Sequence, residues 1–165
     1  MFQLGDYIVY GNIGVCMVEE VGRVDLPGVL RDRLYYTLQP CYDQRGKIFT
    51  PVDNQKVIMR PVLSRKEAWQ LIDEMEKTSL LGIQNEKKRE EDYRASFQKC
   101  DCRELVKLIK TIYLREQKRK SEGKKITSQD ERYFHMAQMN LYGELSVSLG
   151  IDREEVKELI MEKVH

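Results

Sequence analysis

Apolar residues follow two rhythms along the chain, and the change falls near Pro61. Before it, short runs of Val, Ile, Tyr, Phe and Leu are broken by Gly, Pro, Asn and Asp, the pattern of half-buried strands joined by tight turns. The opening run Phe2-Gln3-Leu4-Gly5-Asp6-Tyr7-Ile8-Val9-Tyr10 passes through Gly11-Asn12-Ile13-Gly14 into Val15-Cys16-Met17-Val18. Gly11, Asn12 and Gly14 supply the positive φ values that reverse a strand in few residues, so this stretch predicts a hairpin. Charge and Pro27-Gly28 then mark a loop, Leu34-Tyr35-Tyr36-Thr37-Leu38 returns to strand formers, and Cys41 to Gly46 reads as the next turn. Ile48-Phe49-Thr50-Pro51-Val52 and Lys56-Val57-Ile58-Met59-Arg60 complete the series, which Pro61 ends because it lacks an amide donor. About five short strands at this spacing predict a small SH3- or Tudor-like antiparallel β-barrel over residues 1–62.

From Ser64 the period is helical. Ser64-Arg65-Lys66-Glu67 has capping-box spacing, and Ala68, Trp69, Leu71, Ile72 and Met75 make one apolar side. Trp69, at helical spacing among apolar neighbours, is expected as a packing anchor. Gly82 interrupts the pattern, and the charged stretch 85–99 carries Tyr93 and Phe97 as its main apolar pair. Asp101-Cys102-Arg103-Glu104 is a second capping-box candidate, opening a helix with Leu105, Leu108, Ile109, Ile112 and Tyr113 inward and a stop at Gly123. Thr127 or Ser128 caps the next helix, which presents Tyr133, Met136, Ala137, Asn140, Leu141 and Leu145 and ends at Gly150. Asp152 begins a last helix with Val156, Leu159, Ile160 and Val164 on one side. The expected architecture is therefore α+β and two-domain: the barrel at 1–62, then a C-terminal bundle of about five α-helices at 63–165.

Composition narrows the function classes. No apolar run approaches the roughly 18–20 residues that cross a bilayer, and the N-terminus lacks the pattern of a secretory signal, so a cytoplasmic location without membrane contact is expected. Cys16, Cys41, Cys100 and Cys102 are too unevenly spaced for a disulfide framework, and His135 and His165 do not complete a zinc-site spacing with Cys100-Asp101-Cys102. No nucleophile elbow, P-loop, dinucleotide fingerprint or HExxH motif is present, and the acid pairs Glu90-Glu91 and Glu154-Glu155 sit in charged helical stretches where solvation accounts for them. The expectation is a non-enzymatic protein with no cofactor, metal or small-molecule substrate. The net charge of +1 hides an uneven distribution: residues 103–125 carry nine basic and three acidic side chains, whereas residues 1–61 carry seven of each. A basic block of this kind is a candidate polyanion contact.

A set of residues, taken in order and spacing, resembles the CarD/CdnL family of bacterial RNA polymerase-binding transcription regulators. In the first half these are Phe2, Gly5-Asp6, Val9-Tyr10, Gly14-Val15, Tyr35-Tyr36-Thr37-Leu38, Pro51-Val52, Asn54 and Met59-Arg60-Pro61-Val62. In the second they are Tyr93 before Arg94, the helix from Leu105 to Arg115, Asp130-Glu131-Arg132 and Leu141-Tyr142-Gly143-Glu144-Leu145. The resemblance implies a Tudor-like N-terminal domain that binds the RNA polymerase β subunit, and a helical domain that approaches promoter DNA upstream of the melted region. It implies that an exposed barrel edge with basic and apolar residues grips the polymerase, and the matching positions are Arg23, Val24, Arg45, Lys47 and Phe49. Phe49 replaces an arginine often found two residues before the strand proline, and a place in the barrel core is an equal alternative for it.

The family's minor-groove tryptophan has no counterpart here: aligning Tyr93-Arg94 with the family's aromatic–basic pair puts Arg89 in its place. An arginine can enter a narrow minor groove electrostatically but cannot prop apart a base step. Arg89, Arg94, Arg103, Lys107, Lys110, Lys118, Lys124 and Lys125 are the expected DNA-binding residues, contacting mainly phosphate backbone, with a solvated helix face as the plain alternative. The leading expectation is a regulator that modulates promoter open-complex stability. The alternative is a polymerase-binding protein-interaction adaptor with little or no direct DNA contact.

Overall fold

The computed structural model describes residues 1–28, 32–42 and 46–164. It divides into two compact units, Met1–Val62 and Leu63–His165. The first holds five strands, β1 (Tyr7–Tyr10), β2 (Gly14–Gly22), β3 (Tyr35–Pro40), β4 (Ile48–Pro51) and β5 (Met59–Pro61). They form one antiparallel sheet in the order β4-β3-β2-β1-β5. β4 and β5 lie at the two ends of this ladder, and among the described residues no pairing between them closes it into a barrel.

The register explains the core. Ile8 faces Cys16, Val18 faces Leu38 and Leu38 faces Ile48, so one face carries Ile8, Cys16, Val18, Tyr36 and Leu38, all nearly inaccessible, with Phe2, Tyr10, Ile48 and Met59 packed around them. Gly5 and Asp6 anchor the N-terminus: the Asp6 carboxylate accepts from the Gln3 amide at 2.8 Å, and the Gly5 amide donates to the Val18 carbonyl at 2.7 Å. Between β1 and β2 a 3-10 turn, Gly11–Ile13, reverses the chain. Gly11 has φ +49°, and a Cβ there would meet the Val57 side chain at 2.8 Å, while Gly14 sits at φ 92°, ψ −147°, a region open to glycine alone.

The second unit holds α1 (Arg65–Glu74), α2 (Arg89–Gln98), α3 (Cys102–Ser121), α4 (Ser128–Leu149) and α5 (Arg153–Val164). Ser64 forms the full capping box with Glu67. Asp101 forms only half of one: it accepts from the Arg103 amide, while Glu104 turns away to take the Ser96 hydroxyl at 3.0 Å, tying α3 to α2. Thr127 caps α4, and Gly150 ends it in the left-handed conformation. The core gathers Leu71, Ile72, Met75, Tyr93, Phe97, Leu105, Leu108, Ile109, Ile112, Leu141, Leu145, Val156 and Ile160. Trp69 is not part of it. Its ring is 40 % exposed, a departure from the anchor its spacing suggests, because it lies on the outer side of α1 from Ala68, Leu71 and Ile72. Buried Glu144 accepts from the Leu63 amide at 2.9 Å and from the Cys102 thiol at 3.1 Å, so the first residue of this unit is fastened to α4 and α3.

Candidate functional site

The outer strand β4 presents the first candidate surface. Ile48 points to the sheet core, so alternation turns Phe49 to the opposite face, where it is 41 % exposed opposite Thr37. Of the two places open to this ring, the surface is the one it takes. Lys47, immediately before β4, is exposed and pairs with Glu19 at 2.9 Å. The pairing register of β2 with β3 shifts between Val18 and Glu20, and Glu19, the residue within that shift, supplies the carboxylate. The Glu19 hydrogen bond holds the Lys47 ammonium above its ordinary pKa. Exposed Arg23 and half-buried Val24 leave the end of β2 beside the row Gly22–Tyr35–Pro51, three residues along the strand from Ile48, roughly 10 Å. Lys47 and Phe49 thus share an edge, and Arg23 and Val24 stand at its other end. Arg45 lies outside the described residues.

The basic residues of the helical unit fall into three groups. Lys118 and Lys125 are exposed and form no ion pair among the described residues, and they bracket the end of α3. Arg94, Arg103, Lys107 and Lys124 reach solvent but pair with Glu90, Glu74, Glu104 and Glu122 at 3.3 to 3.5 Å. Exposed pairs such as those of Arg94, Arg103 and Lys124 contribute about 0–1 kcal/mol each, so these three cations exchange a carboxylate for a phosphate at little cost, whereas Lys107 faces a largely buried Glu104. Arg89 and Lys110 are different. The Lys110 ammonium donates to the carbonyls of Met75, Glu76 and Thr78 at 2.9, 3.2 and 2.6 Å, satisfying the orphan acceptors where α1 runs out. Its place is a structural one, not the phosphate contact its position in the basic block suggests.

Arg89 is 7 % exposed and its guanidinium is built into a closed ring of hydrogen bonds. It donates to the Tyr93 hydroxyl at 3.2 Å and to Glu86; Tyr93 donates to Asp130 at 2.9 Å; Arg115 donates to the other Asp130 oxygen at 2.7 Å and to Glu86 at 3.2 Å. The ring joins the turn before α2 to α2, α3 and α4 around a fully buried Asp130. In this resting arrangement the Arg89 guanidinium is not extended toward a groove, which corrects the expectation of a solvent-reaching DNA contact from the position of the family's tryptophan. The family resemblance took in Tyr93, Asp130 and the stretch from Leu105 to Arg115 separately; Glu86 was hidden among ordinary surface charges, and only the packing of α2 on α3 and α4 unites the four. Burial pushes the Tyr93 hydroxyl up to about 12.

Among the described residues no helix is long and apolar enough to cross a membrane, and no group of three His, Cys, Asp or Glu side chains converges as a metal site would require. The four cysteines are free thiols, with Cys16, Cys100 and Cys102 buried. No curated protein matches the chain. Residues 2–63 match the model of the CarD-like/TRCF RID domain, and this span takes in the whole five-stranded unit, its Gly5-Asp6 anchor and its exposed β4 edge. Over those residues the first unit is similar to the CarD-like/TRCF RID domains, a family of RNA polymerase-interacting domains, and the match supports a transcription-associated protein.

Proposed function

We propose that the chain docks on the β subunit of RNA polymerase through the β4 edge and acts there, without catalysis and in the cytoplasm, as a modulator of promoter complexes. The observation that carries this reading is the RID match over a sheet whose end strand offers an exposed aromatic beside a cation, Phe49 and Lys47. An edge strand has unpaired backbone donors and acceptors, and an aromatic anchor at such an edge is the kind of side chain that dominates interface energetics. Arg23 and Val24 would extend the contact along the sheet.

In this reading the end of α3 faces promoter DNA. Lys118 and Lys125, with Lys124, Arg94, Arg103 and Lys107 released from their carboxylate partners, would contact phosphates without reading sequence. Binding shifts the balance between closed and open complexes only as far as the two states differ in affinity for the chain. Substituting Gln for Lys118, Lys124 and Lys125 together is expected to shorten the lifetime of promoter complexes. It should also flatten the salt dependence of DNA binding by up to about three units of log–log slope, roughly 0.9 per phosphate lost.

The withdrawal of Arg89 and Lys110 into the fold and the pairing of most other cations favour a second reading, an adaptor that holds polymerase and barely touches DNA. The same triple variant separates the two, since an adaptor leaves lifetime and slope unchanged.

A further inference from the structure

We infer that Arg89 and Arg115 form a phosphate-binding cradle that the carboxylate of Glu86 occupies in the resting protein, so that Glu86 is an internal stand-in for a phosphate oxygen of the nucleic-acid backbone. The inference rests on the DNA-facing reading of the helical unit and adds to it a site that residue spacing alone does not assemble.

Three observations carry it. First, one oxygen of Glu86 serves both guanidiniums, accepting from Arg89 and, at 3.2 Å, from Arg115. A single carboxylate oxygen between two arginines is the arrangement a phosphate oxygen takes in an arginine site. Second, the Arg89 fork is only half used. Its Nη2 binds Glu86 and its Nη1 binds the Tyr93 hydroxyl, yet its Nε, buried, has no hydrogen-bond partner. Nε and Nη2 lie along one edge of the guanidinium plane, the edge that receives two oxygens of a bidentate anion. The resting contact therefore leaves a buried donor unmet, and a tetrahedral anion with several oxygens can satisfy Nε and Nη2 while a further oxygen meets Arg115. Third, the two arginines and the carboxylate differ in exposure. The Arg89 side chain is 9 % exposed and that of Arg115 26 %, whereas that of Glu86 is 70 % exposed and stands on a 3-10 turn, Glu86–Lys88.

The remaining partners fix the cradle when Glu86 leaves. Asp130 continues to hold Arg115 Nε at 2.7 Å, and Tyr93 continues to hold Arg89 while donating to Asp130. Two guanidiniums then face one buried carboxylate, so a local positive charge remains for the incoming anion. The two arginines hold Glu86 more acidic than an ordinary glutamate, so it is ionised and competes as an anion throughout the physiological range. An incoming phosphate has to displace it, which makes the site selective for densely charged ligands over isolated anions.

The test uses the full chain and Glu86→Gln, which removes the competing charge from an exposed side chain and keeps its shape. Inorganic phosphate is titrated while the arginine Nε–H resonances are followed by NMR, and a labelled DNA duplex is titrated at several salt concentrations. Glu91→Gln, an exposed neutralisation nearby on α2, controls for net charge. Inorganic phosphate is expected to shift the Arg89 and Arg115 Nε resonances in Glu86→Gln at severalfold lower concentration than in the wild type. The duplex is expected to bind Glu86→Gln several-fold more tightly than Glu91→Gln, with a salt slope steeper by about one unit, the signature of one added phosphate contact. Adding Arg115→Lys to Glu86→Gln, which keeps the charge but loses the fork, should abolish both gains. Phosphate shifts without a gain on the duplex would support the cradle and assign it to free phosphate, overturning the DNA-facing reading alone. Absence of phosphate-induced shifts at both arginines in folded Glu86→Gln would overturn the cradle, whatever the duplex does.

Discussion

Asp130→Ala is expected to destabilise the helical unit by about 3–5 kcal/mol, the range for breaking a buried charged network from one side. Asp130 is fully buried and receives Tyr93 on one oxygen and Arg115 on the other, while its own amide is taken by Thr127 at the start of α4. Removing its carboxylate leaves the fully buried Tyr93 hydroxyl without its acceptor and takes from the partly buried Arg115 its Nε partner, leaving it only Glu86. Asp130→Asn keeps one acceptor and should cost less. Chemical denaturation of both variants checks the order, and a loss below about 1 kcal/mol for the alanine would mean the ring contributes little. The same ring predicts a high-pH signature. Tyr93 ionises near 10 when unfolded and near 12 in the fold, so between those values the unfolded chain binds fewer protons than the native one and stability falls as pH rises. Tyr93→Phe should flatten that fall.

Phe49→Asp is expected to weaken binding to the polymerase β subunit by at least about 30-fold, the 2 kcal/mol or more that marks an interface hot spot. The argument is geometric. Phe49 is on the non-core face of an end strand, 41 % exposed, so its replacement spares the Ile8, Cys16, Val18 and Leu38 core and folding should be nearly unchanged. An aspartate there would also set a carboxylate two residues along the chain from Lys47 and weaken the positive character of the edge. Ile58→Asp is the matched control: Ile58 is 46 % exposed but adjoins β5, at the other end of the ladder. It should bind as the wild type does. Equal losses from both variants would point to a general effect of acidic charge, not to the β4 edge.

Much of the fold was legible in the chain because its signals are local. The change of hydrophobic period at Pro61, the capping box at Ser64 and the left-handed Gly150 are each decided by a few neighbouring residues, and each reappears in the structure. The failures are those where a tertiary partner outbids a local one. Glu104 has the right spacing to close a box on Asp101, but Ser96 of α2 lies within reach and takes it. Trp69 has helical neighbours on both sides, yet which of two adjacent residues faces inward depends on where α4 and α5 pack, and Ala68 takes the inward place.

The candidate sites divide in the same way. Strand alternation and the position of β4 at the end of the ladder settle Phe49 at the surface, something the sequence left even between core and edge. The basic block around α3 was visible as charge, but charge counts do not distinguish a lysine that meets solvent from one that ends a helix. Lys110 and Arg89 are held in the resting fold by the protein's own groups because three carbonyls and an exposed glutamate, all distant in sequence or unremarkable in it, converge on them.

Placing a photoreactive phenylalanine analogue at position 49 of the intact chain and irradiating it on RNA polymerase tests the central claim most directly. A covalent adduct to the β subunit, absent when the same group replaces Ile58, is the predicted result. An adduct confined to another subunit, or none from position 49 while position 58 cross-links to β, would contradict it.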